Sequence, residues 1–103
     1  MSNNIIQGST PTHTFNTPYP KSLIEKAIIT YKQGDQTVLE KKDDDVTIND
    51  YSIVTKLSQK ETLSFDPSKM VCIQIKVKTI DGDVVPSNKL YKSVDEVLNK
   101  DEI

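Results

Sequence analysis

Arginine and tryptophan are absent from this chain of 103 residues, which also has one histidine, one cysteine and three glycines. Nucleic-acid recognition relies on arginine for guanine and phosphate contacts, so the missing arginine argues against it. The net charge is −2 with the two signs interspersed, which gives no electrostatic reason to expect nucleic acid or an anionic membrane as a partner. The glycines stand far apart and form no phosphate-binding loop. Another protein is the expected partner.

Side chains that carry chemistry are equally scarce. His13 is expected to be an exposed or edge residue, and Cys72 a small packing residue that has no second cysteine for an internal disulfide. The acidic run at 43–45, with Asp50, lacks the alternating acid and glycine layout of a calcium loop, so a solvated loop is predicted there. We therefore predict no catalytic residue, no metal ligand and no cofactor, and we expect a protein that is not an enzyme.

Long apolar runs are missing too. No stretch approaches the ~20 apolar residues that span a bilayer, and the start "MSNNIIQGSTP" lacks the basic and apolar regions of a signal peptide. Residues 1–11 are small and polar apart from Ile5 and Ile6, which predicts a flexible N-terminal arm. Residues 12–103 are expected to form a single β-sandwich domain. Deleting residues 1–11 should then leave thermal stability nearly intact.

The chain does contain segments in which apolar and polar residues alternate with a period of two. In "VCIQIKVKTI" every second residue from Val71 to Thr79 falls on one face, and "YSIVTKLS" alternates in the same way. Asp81 and Gly82 predict a tight hairpin with positive φ at both residues, and Pro86 should interrupt the return strand. The end of the chain stays open between a strand that continues to Val94 and a short helix that begins at Ser93.

Six or seven short strands at intervals of about ten residues predict an all-β fold, an antiparallel immunoglobulin-like β-sandwich of about seven strands. The polar string "SQKETLSF" is then the crossover between the two sheets, with its last apolar residues closing one end of the core. The predicted core residues are Leu63, Phe65, Ile73, Ile75 and Val77. Phe65→Ala should be among the most damaging single substitutions.

Four segments together resemble a family of small proteins encoded by phages and prophages of low-GC Gram-positive bacteria. They are "IIQGSTPTHTFNTPY", "ITYKQGDQTVL", "KLSQKETLSF" and "CIQIKVKTIDGDVVPSN", which cover nearly the whole chain. The sequence departs from the family outline at Ser58 and Lys60, where the family usually has threonine and an acid, and at Pro86, where it has a small or apolar residue. These departures concern surface detail more than the fold.

The resemblance implies a virion component, similar to capsid decoration proteins or to the β-sandwich domains of baseplate upper proteins. It implies synthesis in the host cytoplasm, a location in the virion and many copies in an assembly. The expected partners are the major capsid protein or tail and baseplate subunits, contacted through exposed sheet edges and the arm. Ile5, Ile6 and Phe15 are the candidate contact residues. A tail or baseplate accessory and a host-directed binding module are the alternatives to a capsid decoration protein.

Overall fold

The computed structural model describes residues 4–103, and in that range almost all regular structure is β-strand. One short helix, α1, covers Gln59–Leu63, and single 3-10 turns cover Lys21–Leu23 and Asp43–Asp45. The strands are β1 Ile5–Ile6, β2 Thr12–Asn16, β3 Ile24–Gln33, β4 Gln36–Lys41, β5 Thr47–Asn49, β6 Ser52–Lys56, β7 Val71–Thr79, β8 Val84–Pro86, β9 Leu90–Lys92 and β10 Val94–Asp95.

Two antiparallel sheets pack face to face. The smaller has the order β2-β6-β5, and the larger has the order β4-β3-β7-β8, with β9 also paired to β7. Because β8 and β9 follow one another along β7, they act as a single strand interrupted after Pro86. In immunoglobulin nomenclature the two sheets are B-E-D and C′-C-F-G. This strand order confirms the predicted fold class, an antiparallel immunoglobulin-like β-sandwich.

The core lies between the sheets and follows the alternation of the strands. Along β7 every second residue is buried, and Ile73, Ile75 and Val77 lie on the face that the pattern assigned to them. On the opposite sheet Ile53 and Leu57 are fully buried. Alternation puts each such side chain on one side of its sheet, so the two apolar faces meet and exclude water.

The first strand corrects the predicted arm. Ile5 is 1% exposed, and β1 pairs in parallel with β10, with the Ile5 amide donating to the Ser93 carbonyl at 2.9 Å. Gln7 is buried and its side-chain amide donates to the Phe65 carbonyl at 2.8 Å. The described part of the segment, residues 4–11, therefore belongs to the sandwich, and the flexible arm is wrong there. Residues 1–3 of that prediction lie outside the described range.

The crossover also differs from the prediction, because its polar string is a one-turn helix. Ser58 caps α1: its hydroxyl accepts from the Glu61 amide at 3.1 Å, while the Glu61 carboxylate accepts from the Ser58 amide at 2.8 Å. This reciprocal capping box satisfies two backbone donors at the helix start. Thr62 and Phe65 are buried beneath it, whereas Leu63 is only half-buried. Thr62 thus takes the place predicted for Leu63.

In the hairpin that joins β7 to β8, three residues, 80–82, lie between the hydrogen-bonded residues Thr79 and Asp83. The Thr79 amide donates to the Asp83 carbonyl at 2.8 Å, and the Gly82 amide donates to the Thr79 carbonyl at 3.0 Å. Gly82 has φ +91°, but Asp81 does not share that conformation. The loop is a type I turn followed by a left-handed glycine, and the prediction of positive φ at both residues is wrong. Beyond Pro86 the chain forms two further short strands, β9 and β10, and the strand at Val94–Asp95 decides against a helix from Ser93.

Candidate interaction surfaces

The groups with potential chemistry lie apart. Among residues 4–103 no three His, Cys, Asp or Glu side chains come together as a metal site. Cys72 is a free thiol on the outer face of β7, where Tyr91 is its cross-strand partner, while His13 contacts the buried Tyr31 on the core side. The larger sheet therefore separates the two groups that a thiol nucleophile and its base would require. In the same described range no helix is long and apolar enough to span a membrane.

His13 belongs to an aromatic cluster at the core. Its Nδ1 lies 2.7 Å from the Tyr31 hydroxyl, and the Tyr31 ring lies 5.9 Å from that of Phe65. Burial, and secondarily Lys92, lowers the pKa of His13, while burial and then Glu61 raise the pKa of Tyr31. Both groups are therefore neutral near pH 7, and a hydrogen bond joins the Tyr31 hydroxyl to the imidazole. The pair serves packing: His13 lies on the edge strand β2, as predicted, but its ring points towards the core and is half-buried.

One ion pair is largely removed from solvent. Lys41, on β4, is buried, and its Nζ lies 2.7 Å from Oε1 of Glu61. Burial would raise the pKa of Glu61, but hydrogen bonds from the Lys41 ammonium and the Ser58 amide outweigh it and lower that pKa. The contact ties α1 to an edge strand of the larger sheet. It is a structural tether, in which the carboxylate both caps α1 and neutralises the ammonium.

The outer edge of β2 is unpaired. The Leu57 amide donates to the Pro11 carbonyl at 2.9 Å and the Thr17 amide to the Tyr51 carbonyl at 3.1 Å, so the odd-numbered residues of β2 bond to β6. Hydrogen-bonded and non-bonded pairs alternate in an antiparallel ladder. The main-chain groups of Thr12, Thr14 and Asn16 consequently point away from β6. They form a row of donors and acceptors along the edge.

This edge borders a groove on the open side of the sandwich, between β2 and the β8–β9 strand. Its floor is formed by Phe15 and Ile75, and its far wall by Val85 and Leu90, which are 38% and 44% exposed. The larger of its two pockets has a volume of about 370 Å³. Because β1 pairs only with the two residues of β10, the N-terminal strand covers one end of the open side. We call the uncovered groove, lined by Phe15, Ile75, Val85 and Leu90, the seam.

The facing edge of the larger sheet is blocked. Ser87 donates to the Ile75 carbonyl at 2.7 Å and Thr79 to that of Asp83, so by alternation Val84 and Pro86 face outward. Proline has no N–H, and an outward proline is a common protection against pairing with another strand. Of β2 and β8, only β2 keeps the N–H of every outward-facing residue.

The structure places two of the three predicted partner residues, Ile5 and Phe15, inside the sandwich. Ile5 is a core residue, and Phe15, at 6% exposure, is part of the seam floor, so neither is free for the contact expected of an arm. Ile6 is 50% exposed and stays available. Exposed sheet edges were expected to contact a partner, and β2 is such an edge, but which of its main-chain groups point outward was not predicted. In "THTFN" the alternate residues Thr12, Thr14 and Asn16 are all polar, which indicates a strand with one solvent-facing side.

A second surface covers the outer face of the larger sheet. Lys32, Cys72 and Tyr91 lie side by side across β3, β7 and β9, at the border of an open depression of about 810 Å³. A hydrogen bond with Cys72 raises the pKa of the exposed Tyr91 hydroxyl. Four lysines line this depression together with a single acid, Asp35. We call this surface the lysine face, formed by Lys32, Lys69, Lys76, Lys89 and Tyr91.

Comparison with known proteins adds little to this description. No protein-family model matches the chain, and no curated protein matches it. Among solved structures, the V domain of amphioxus IgVJ-C2 aligns over 87% of this chain and 96% of its own, with 16% identity and a TM-score of 0.35. The fold assignment rests on the strand order. The protein is an immunoglobulin-like β-sandwich with an uncovered seam and a lysine-lined sheet face.

Proposed function

We propose that this protein is a non-enzymatic structural component of a bacteriophage virion, which attaches to a neighbouring subunit by accepting an extended segment along the outer edge of β2. The family resemblance of its four segments supports the virion setting. The observation that carries the mode of attachment is the unpaired edge of β2 beside the seam. Capsid decoration is the favoured role, with the major capsid protein as the neighbour.

The attachment uses main-chain hydrogen bonds for strength and the seam for selection. A partner strand on β2 bonds to the outward groups of Thr12, Thr14 and Asn16. Alternate side chains of that strand then enter the seam, above Phe15 and Ile75. Each apolar side chain that becomes fully buried contributes about 1.5–3 kcal/mol. Two or three such side chains give a stable contact from a short segment, which suits a small subunit bound many times to one lattice.

The setting is tested by the copy number of this protein in purified virions, measured by quantitative mass spectrometry against the major capsid protein. A ratio of one, or a fixed simple fraction of it, supports capsid decoration. A few to some dozens of copies per particle supports the tail or baseplate alternative. Absence from the particle refutes a virion role and leaves the host-directed binding module.

The mode of attachment is tested with a matched pair at Thr14. Thr14→Pro removes one outward N–H, whereas Thr14→Val keeps it and changes only the exposed side chain. We expect Thr14→Val to enter virions at the wild-type level and Thr14→Pro to be lost from them. Leu90→Lys, which places a charge on the exposed wall of the seam, should also be lost while its thermal transition stays close to wild type. Wild-type incorporation of both Thr14→Pro and Leu90→Lys would contradict attachment at the seam.

A further inference from the structure

The lysine face has an excess of positive charge, because four lysines line its depression with a single acid, Asp35. Five ion pairs join side chains within residues 4–103, and they use Lys26, Lys41, Lys42, Lys78 and Lys100. None of them uses a lysine of the lysine face. Lys32, Lys76 and Lys89 are all exposed, around an apolar patch that includes Tyr91, at 61% exposure, and Met70, at 52%. Such a surface is complementary to an acidic one.

The molecule has such an acidic surface around the start of β3. Strand β3 runs from Ile24 to Gln33, so Lys32 lies at its end, and ten residues of strand span about 33 Å. Exposed acids gather around the start of β3. The β7–β8 hairpin brings Asp81 and Asp83 beside Ile24, because Ile24 pairs with Thr79. The turn at Asp43–Asp45 is joined to Lys26 by an ion pair of 3.4 Å, and Asp50 accepts from the Lys21 amide.

The two surfaces differ in sign. The lysine face extends from Lys32, near the end of β3, to Lys76, which pairs with Ile28 in mid-strand, whereas the acids surround the start of β3. We propose that copies of this protein associate head to tail, with the acidic end of one copy, formed by Asp43–Asp45, Asp50, Asp81 and Asp83, docked on the lysine face of the next. A contact between two different surfaces is heterologous, and it leaves a free lysine face and a free acidic end on every dimer. Association therefore continues into rings or filaments.

This inference deepens the proposed function, because an assembly with many copies requires either a common support or contacts between copies. Its test uses the purified chain alone. A failure of head-to-tail association would leave the virion role standing, and absence from virions would leave the association standing. The two results are thus distinguishable.

The experiment is sedimentation velocity over a series of protein concentrations, with charge-reversed variants. The face variant is Lys32→Glu with Lys89→Glu, and the end variant is Asp44→Lys with Asp83→Lys. The wild-type chain should form species beyond the dimer at low salt and dissociate in 1 M salt, where the screening length falls to about 3 Å. Each variant alone should be monomeric. A mixture of the two should associate again, because the face variant keeps an intact acidic end and the end variant keeps an intact lysine face.

The control is Lys56→Glu with Lys60→Glu, which has the same net charge as the face variant but leaves the lysine face unchanged. It should associate like the wild type. Circular dichroism spectra that match the wild type establish that each variant is folded, and Lys89→Glu alone serves if the double variant does not fold. A wild-type chain that stays monomeric at low salt, or a mixture of the two variants that stays monomeric, would overturn the proposal.

Discussion

Ile5 and Ile6 are neighbours in a two-residue strand, yet the structure gives them opposite roles, and this contrast offers a decisive test of the N-terminal segment. Ile5 is 1% exposed and belongs to the core, whereas Ile6 is 50% exposed. Truncating a fully buried isoleucine to alanine costs about 2–5 kcal/mol, from lost burial and from the cavity that remains. A typical domain has only about 5–15 kcal/mol of stability.

The value for Ile5→Ala should fall in the lower part of that range. Strand β1 is held by the pairing with β10 and by Gln7, so the cost cannot exceed the free energy that keeps this terminal segment docked. For a domain of this size 1 kcal/mol corresponds to about 4–8 °C in melting temperature. We expect Ile5→Ala to lower the melting temperature by on the order of 10 °C or more.

The assay is urea unfolding of the wild type, Ile5→Ala and Ile6→Ala, followed by far-UV circular dichroism, with thermal melts alongside. Ile6→Ala should cost about 1 kcal/mol or less, as half-exposed positions without special contacts do. Deleting residues 1–8 should destabilise the fold at least as much as Ile5→Ala does, contrary to the expectation from the sequence alone. Equal and small effects of the two substitutions would refute the assignment of β1 to the core.

Three further outcomes are expected. Phe65→Ala should cost about 3–5 kcal/mol in urea unfolding, because the ring is 1% exposed and packs on Tyr31; a loss below about 1 kcal/mol would contradict its place in the core. Glu61→Gln keeps the capping box but leaves the buried Lys41 ammonium without a carboxylate. It should therefore destabilise the fold more than Lys41→Met, which removes the buried charge. The reverse order in melting temperature would count against the tether. Because the pKa of His13 is lowered, its contribution to stability is present above its ordinary pKa of 6.5 and is lost as pH falls. The melting temperature of the wild type should therefore fall more steeply between pH 7.5 and 5 than that of His13→Gln. Parallel profiles would exclude a contribution of His13 to the pH dependence of stability.

The pH windows of the two titrating sites can be separated. The pKa of Glu61 is lowered from its ordinary 4.5, so the stability it provides is complete above that value and is lost only as pH falls through the lowered pKa. The effect of His13 begins at higher pH. A titration of stability from pH 7.5 downward should therefore show the His13 contribution first.

Much of the fold was predictable because strand faces are a local property. The alternation in "VCIQIKVKTI" assigns the buried residues of β7 without knowledge of the strand's neighbours, since successive side chains point to opposite faces. Turns follow from equally local chemistry, as Gly34 and Gly82 show with φ of +61° and +91°. The capping box at Ser58 and Glu61 was equally local, and it was missed because the polar string around it was read as loop.

The candidate surfaces were much less predictable. The sequence analysis grouped Phe15 with Ile5 and Ile6 as a candidate partner contact. Its actual place on the seam floor depends on β7 and β9, far away along the chain. The lysine face was equally hidden, since Lys32 and Lys89 become neighbours of one depression only when β3, β7 and β9 pair.

The sequence by itself determined an all-β immunoglobulin-like chain, because a period of two is contained in short segments. Only the tertiary structure decided which strand has a free edge, which lysines share a face and that Ile5 is in the core. These properties arise from pairs such as β1 with β10, whose partners lie about 90 residues apart. No local pattern encodes such a pairing, because its free energy comes from surfaces that meet only when the chain has folded.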